Sequence, residues 1–395
     1  MIQKLKNLYH LLQAVIANMW YGFPSRYIKV IGVTGTDGKT TTTHLLYHIL
    51  STAGKKVSMI STIYGMVGNK EYDTGLHVTT PDPFMVQKMI RDAVEYGDEY
   101  FVLETTSHAI DQNRTWGIKY RGAVLTNITH EHLDYHHTIE EYANIKWSLV
   151  EKAQIALVNK DDEVTNQIIK GQKSKIKNLK TYGLNSKADY MRDFRSVIPD
   201  LANFNAYNYL GAYGLCRELG ISEDMIISAL QTFKLPAGRI DIVHNNKFKV
   251  IVDFAHTPNG IARILETVRS QYVKDGGKLI HVFGSAGLRD HLKRPKMGEA
   301  SAEFADVSII TEEDYRTEDP HTIANEIGKG FAKWNKKYSV IADREKAIHA
   351  AINQAQEHDV VVITGKGHEK SLCRGKIEYP WSDIECVKSY VSHKR

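Results

Sequence analysis

Residues 32 to 43 read GVTGTDGKTTTT and follow directly on the apolar run Ile28, Val30 and Ile31. An apolar strand, a glycine-rich turn and a Lys-Thr pair opening a helix form the order a phosphate site requires. The N–H groups of the turn and helix start face the anion, and glycine lets the chain approach it closely. The spacing differs from the common nucleotide loop, which carries glycine six positions before its lysine; Val33 stands there, and the glycines are Gly32, Gly35 and Gly38. The expected elements are a strand from Tyr27 to Val33, a loop through Gly35, Thr36, Asp37 and Gly38, and a helix from Thr40 to Thr52 stopped at Gly54. Lys39 suits the terminal phosphates of a nucleotide, and Thr40, with Thr41 beside it, suits Mg2+ through its hydroxyl.

Strands and helices continue to alternate beyond the loop. Strands are expected at Lys56 to Ser61, Tyr100 to Glu104, Gly122 to Asn127 and Ile155 to Asn159, with helices at Pro83 to Tyr96, Ile139 to Lys152 and Asp162 to Gly171. Such alternation implies an α/β fold with a mostly parallel sheet whose ligands gather at the carboxyl ends of the strands, where Glu104 and Asn127 stand. A chain of 395 residues, 42% hydrophobic and 25% charged, has room for two or three domains. Its net charge of +5 suits an anionic ligand, but Lys and Arg are spread along the chain and leave no nucleic-acid footprint. Cys216, Cys373 and Cys386 form no CxxC pair, which fits a reducing, cytoplasmic setting. No apolar stretch is long enough to span a bilayer. Leu5, Leu8, Leu11, Leu12, Val15, Ile16, Met19 and Trp20 recur at helical spacing over residues 3 to 21. That helix either docks on the next domain or, with Lys4, Lys6, Trp20 and Tyr21, makes peripheral contact with a membrane.

The ordered segments GVTGTDGKTTT, TTPD, ETTSHAIDQNR, TNITHEHLDYH, YANIKWSLV, FNAYNYLGAYG, PAGRIDIV, VDFAHTPNG, GLRDHLKRP and ITGKGHE resemble those of the Mur ligases. The likeness is greatest to the branch that adds the third amino acid to a UDP-N-acetylmuramoyl dipeptide, and it covers about residues 28 to 370. It implies an amphipathic helix in residues 1–27, a central ATP-binding domain in 28–235 and a C-terminal Rossmann-like α/β domain in 236–395, with strands at Val250 to Asp253, Leu279 to Phe283, Val307 to Thr311, Ser339 to Ile341 and Val360 to Thr364. It further implies a monomeric ATP- and Mg2+-dependent ligase acting on a muramoyl peptide and a free amino acid, without nucleic acid.

The resemblance assigns roles residue by residue. Lys39, Glu104, His132 and Lys146 would be catalytic, with Thr40, Glu104, His132 and a carbamylated Lys146 holding metal. Read from composition alone, Lys146 is a surface lysine on an amphipathic helix, and the histidines of EHLDYHH could also serve a structural zinc. Asn208, Arg239, Asp253 and His256 would join the loop around ATP, Asn208 facing the adenine. Thr79, Thr80, Thr106, Gln112 and Arg114 would contact the muramoyl peptide. Arg289, Asp314, Arg316, Gly365 and Glu369 would hold the incoming amino acid. EDYR replaces the DNPR of the diaminopimelate enzymes, and the acid at Asp314 suits an ammonium better than a carboxylate, so lysine stands beside diaminopimelate. Family members of this kind carry a uridine-binding domain before the loop, where this sequence has the short helix and YGFPSR; the expected acceptor is therefore one carried differently, such as a lipid-linked peptide.

Overall fold

The computed structural model describes every residue except 1, 74–78, 130, 132, 173–175, 177, 199, 200, 275, 394 and 395. Helix α1 (Ile2–Trp20) is followed by a 3-10 turn at Pro24–Arg26 and by strand β1 (Lys29–Thr34). Tyr27, expected in the strand, closes the turn by donating its N–H to the Pro24 carbonyl. The five residues from Val30 to Thr34 are buried, as a central parallel strand covered on both faces must be. The chain then forms α2 (Lys39–Thr52), β2 (Val57–Ile60), β3 (Gly65–Val67), β4 (Lys70–Tyr72), α3 (Pro83–Tyr96), β5 (Tyr100–Glu104), α4 (Ser107–Asp111), β6 (Tyr120–Leu125), β7 (Ala153–Asn159) and β8 (Leu179–Tyr182).

These strands make one sheet in the order β4-β3-β2-β5-β1-β6-β7-β8. All pairs are parallel except those of β3 and β4. β1 lies between β5 and β6, so the glycine loop leaves the sheet where the strand order changes direction, the usual ligand position in such sheets. Period-two alternation sends Ile31 and Val33 of β1 to one face beside Leu45 and Ile49 of α2, and Val30 to the other beside Ile90 of α3. The β3–β4 hairpin was not among the expected elements; each strand has only three residues, and the turn rests on Gly68, whose φ is 57°.

α1 packs on α3. It buries Ala14, Ala17 and Asn18, while Asn18 Nδ2 donates to the carbonyls of Ala14 and Trp116, both at 2.8 Å. Docking on the domain is thus satisfied by one face of the helix. Among the described residues no helix is long and apolar enough to cross a membrane.

The chain divides into two compact units, Met1–Lys234 and Leu235–Arg395. The second contains β9 (Asp241–Asn245), β10 (Lys249–Asp253), β11 (Leu279–Phe283), β12 (Val307–Ile310), β13 (Ser339–Val340) and β14 (Val360–Thr364), paired in the order β13-β12-β11-β14-β10-β9. Only β9, an edge strand absent from the expected set, runs antiparallel. A separate hairpin joins β15 (Ser371–Arg374) to β16 (Ile377–Pro380). Alternation again splits the core in two, with Ile251 and Val362 on one face and Val250, Val252 and Val361 on the other.

Candidate active site

The loop between β1 and α2 is built so that glycine is required. Gly38 has φ 83° and Gly35 φ 150°. A Cβ on Gly35 would lie 1.8 Å from Thr126 Oγ1, and one on Gly38 would lie 2.2 Å from Asn208 Oδ1. The end of β6 holds the loop: Asn127 Oδ1 accepts from the Asp37 N–H at 2.9 Å, and Asn127 Nδ2 and Thr126 Oγ1 both donate to the Asp37 carbonyl. Thr36 Oγ1 accepts from the Thr129 N–H at 2.9 Å and meets the Tyr142 hydroxyl. No side chain caps the start of α2, where Thr40 and Thr41 are buried, so its first N–H groups keep their capacity for an anion. Lys39 Nζ folds back onto the carbonyls of Gly35 and Thr36 at 3.0 and 2.8 Å. Asn208 abuts Gly38 and donates to Asn205 Oδ1, which makes it a support of the loop.

Glu104 ends β5 beside this loop and is 1% exposed. Its Oε1 accepts from Thr40 Oγ1 and Thr62 Oγ1, both at 2.9 Å, and its Oε2 accepts from the Thr62 N–H. A carboxylate and a hydroxyl in contact form an all-oxygen donor set, which fits a hard divalent cation such as Mg2+. His132 and His130 lie outside the described residues. His136 is buried against Ser107 Oγ, and burial pulls its pKa down to about 4. Among the described residues, no three His, Cys, Asp or Glu side chains gather as a metal cluster.

Lys146 is not the surface residue that composition suggests. It is 1% exposed, donates to the Gly35 carbonyl at 2.7 Å and stands 4.5 Å from the centre of the Tyr142 ring. Burial first, and the nearby Lys39 cation second, hold its pKa well below the usual lysine range. The amine is thereby biased towards its neutral, nucleophilic form.

The residues expected at the acceptor are joined in one network. Thr80 Oγ1 donates to the Glu104 carbonyl at 3.0 Å and accepts from the Thr106 N–H; Thr106 Oγ1 in turn caps α4. Arg114 donates from Nε and Nη2 to Gln112 Oε1 and from Nη1 to the Thr80 carbonyl, and burial lowers its pKa. The Thr79 hydroxyl lies 3.1 Å from Thr62 Oγ1, whose single proton goes to Glu104, so Thr79 is the donor of that pair. Thr62 therefore bridges the acceptor group and Glu104. It is a residue that sequence reasoning missed, since an isolated threonine in a loop carries no motif. Glu131, buried and near enough to Lys146 to oppose its loss of charge, was also missed, although it stands within the TNITHEHLDYH segment.

In the second unit, Arg239, Asp253 and His256 gather around Phe254. The Arg239 guanidinium lies 4.7 Å from the ring centre, and His256 Nδ1 meets the Phe254 carbonyl oxygen. Asp253 accepts the N–H groups of Ile240 and Ala255, yet burial raises its pKa, with Arg239 opposing. The residues expected at the amino acid gather at the carboxyl ends of β11, β12 and β14. Arg316, at φ 52°, donates to the Gly287 carbonyl at 2.7 Å, and the Gly287 N–H donates to the Asp314 carbonyl; exposed Arg289 follows in the same loop.

Asp314, expected at the amino acid, has partners within the protein. Its Oδ1 accepts from buried Lys366 Nζ at 2.8 Å and from the Cys373 N–H at 2.9 Å, so a buried lysine balances its charge. Lys366 also pairs with Glu369. The side chain over Gly365 belongs to Glu313, whose Oε2 is buried without a hydrogen-bond partner and whose pKa is raised by burial and by Asp314. Ser285 Oγ and Asp290 Oδ2, from the loop after β11, are likewise buried and unpartnered.

Residues 33–201 match the Mur ligase middle domain, and residues 238–367 match the Mur ligase, glutamate ligase domain. The chain is 38% identical over 378 residues to a UDP-N-acetylmuramoyl-L-alanyl-D-glutamate–2,6-diaminopimelate ligase of Clostridium botulinum, covering 90% of this chain and 76% of that relative. A solved structure of an enzyme with the same name aligns over 93% of this chain and 79% of its own, with a TM-score of 0.60 and 28% identity. The bifunctional folylpolyglutamate synthase/dihydrofolate synthase of Yersinia pestis, solved with AMPPNP and a Mn ion, has a TM-score of 0.70 at 19% identity, covering 90% of each chain; this likeness is one of fold.

Proposed function

Because the chain belongs to the Mur ligase family, a family of ATP-dependent ligases, we propose that it joins diaminopimelate or lysine to the carboxylate of a muramoyl peptide through an acyl phosphate. The observation that carries this reading is the continuity of one hydrogen-bonded network. Glu104 links Thr40, at the start of α2, through Thr62 to Thr79, and through its own carbonyl to Thr80 and Arg114. A nucleotide phosphate at the loop and an acceptor carboxylate at Thr80 and Arg114 are thus served by neighbouring groups of a single unit.

Such chemistry asks for positioning and charge neutralisation more than for acid–base catalysis. Lys39 exchanges its two loop carbonyls for the phosphates of ATP, and the N–H groups at the start of α2 donate to the anion. Arg114 orients the acceptor carboxylate, whose oxygen takes the terminal phosphoryl group of ATP as ADP leaves; the incoming neutral amine then attacks that carbonyl carbon, phosphate leaves and the nitrogen gives up one proton. Mg2+, held by Thr40 and Glu104, neutralises phosphate charge when bound. For Lys146, the neutral amine attacks CO2 and loses one proton, giving a carbamate anion that adds an oxygen donor to this set. In the second unit we assign Arg239, Asp253 and His256 to the nucleotide, Arg289 and Arg316 to carboxylates of the amino acid, and Glu313, together with the Lys366-paired carboxylates Asp314 and Glu369, to its distal ammonium.

The test supplies ATP, Mg2+ and UDP-N-acetylmuramoyl-L-alanyl-D-glutamate with diaminopimelate, lysine or a monoamino acid, and follows phosphate release. Release that needs both the muramoyl peptide and a diamino acid is expected. Equal release without the peptide, or with a pteroylglutamate in its place, overturns the assignment.

A further inference from the structure

Helix α1 has two apolar faces, and docking uses one of them. Ala14, Ala17 and Asn18 are buried, whereas Leu8, Tyr9, Leu12, Ile16, Met19 and Trp20 are between 52% and 78% exposed. At helical spacing these six side chains fall within about 120° of the helix circumference, so they form one continuous stripe. Single apolar residues on a surface are ordinary; a six-residue stripe along a whole helix marks a contact.

The charge around the stripe narrows what it contacts. The first acidic residue of the chain is Asp37, while Lys4, Lys6, Arg26 and Lys29 precede it. Lys6 and Arg26 are exposed, as is Lys119 close to Trp116, the residue whose carbonyl accepts from Asn18. A second copy of the helix would set lysine against lysine with no acid on either helix to pair them. Aromatic rings at Tyr9 and Trp20, lysines with no acidic residue in the helix and a length and hydropathy that do not span are the features of a segment lying in the plane of a membrane surface.

We propose that α1 anchors the protein on a bilayer containing anionic lipid, with the Leu8–Trp20 stripe at the acyl boundary and the basic residues at the headgroups. The opposite side of α1 is bonded through Asn7 to Asp111, and Gln3 reaches the Tyr135 hydroxyl. Tyr135 also accepts from Gln112, so the anchored face lies one helix diameter from the acceptor network. This proposal is independent of which acceptor the enzyme uses.

The full chain is to be sedimented with vesicles of phosphatidylcholine alone and of phosphatidylcholine mixed with phosphatidylglycerol. Partitioning at least tenfold stronger into the anionic vesicles is expected, lost in Leu12→Glu/Ile16→Glu and weakened in Lys6→Glu/Arg26→Glu, with ADP affinity unchanged in both variants. As a check that needs no destabilising change, the native chain should show a blue shift of tryptophan emission on anionic vesicles that Trp20→Phe removes. No partitioning, equal partitioning into both vesicle types, or full binding by the Leu12→Glu/Ile16→Glu protein overturns the proposal. So does self-association that this double variant abolishes in the absence of lipid binding, which would assign the stripe to a second copy.

Discussion

Lys146 shows how a single residue can change its chemistry through burial. Its pattern neighbours Trp147 and Leu149 identify a helix face, but what encloses the amine is the Gly35 carbonyl from a loop 111 residues earlier, a contact that no local pattern encodes. If its role is to carry a carbamate, Lys146→Ala should lose at least about a hundredfold in ligation rate, and added acetate should restore part of the loss by replacing the missing oxygen donor. Lys39→Ala should cost roughly 10³-fold with no such rescue, since a phosphate-facing cation has no small carboxylate substitute. Steady-state phosphate release with and without acetate separates the two. Asp314 yields a different expectation. Its carboxylate holds Lys366, which in turn holds Glu369, so Asp314→Asn should loosen the amino-acid end of the site. The KM for the diamino acid should rise about tenfold, equivalent to about 1.4 kcal/mol, with kcat little changed; an equal fall in kcat would place Asp314 at the reacting atoms instead.

At the scale of elements, most parallel strands were legible as short apolar runs bounded by turn residues, and several helices as longer segments of helical period. β3, β4, β8, β9 and the β15–β16 hairpin were not, being held by turn geometry and by partners distant in sequence. Strand ends also shifted: β6 stops at Leu125, which leaves Asn127 beyond the sheet, where its side chain can grip the Asp37 peptide. Burial of polar groups inside elements was equally hidden. His281 of β11 is fully buried, stacked 4.3 Å from Phe283 and bonded to Ser301 and Thr364, and burial pulls its pKa from 6.5 to about 3. The unfolded chain therefore takes up this proton first as pH falls, so the stability is whole above pH 6.5 and is lost between that value and about 3. At about pH 4.5 the loss should reach roughly 3 kcal/mol, two units of displacement. Urea midpoints across this range should show the slope, and His281→Gln should flatten it.

Each half of the chain repeats the same logic, an apolar strand set followed by polar strand ends. Each unit encloses its own core: Ile31, Leu45 and Val102 belong to the first, and Ile251, Leu279 and Val362 to the second. Since each sheet is covered by side chains of its own unit on both faces, the fragment 235–395 should fold alone, with cooperative urea unfolding and native-like circular dichroism. In the full chain, ADP should act on the two units unequally. The loop that receives phosphate, with its helix start and Lys39, lies wholly within residues 1–234. Saturation at 100 times the dissociation constant should therefore stabilise that unit by about 2.7 kcal/mol. A unit of this size should answer with a rise of a few degrees in its transition. The isolated fragment 235–395 should shift much less, and Gly35→Ala should remove the ADP shift from the full chain because the added methyl collides with Thr126 in the loop itself. Differential scanning calorimetry of the three proteins decides the matter: an ADP shift that survives Gly35→Ala, or one as large in the fragment as in the full chain, would move the principal nucleotide contacts from the loop after β1 to the second unit.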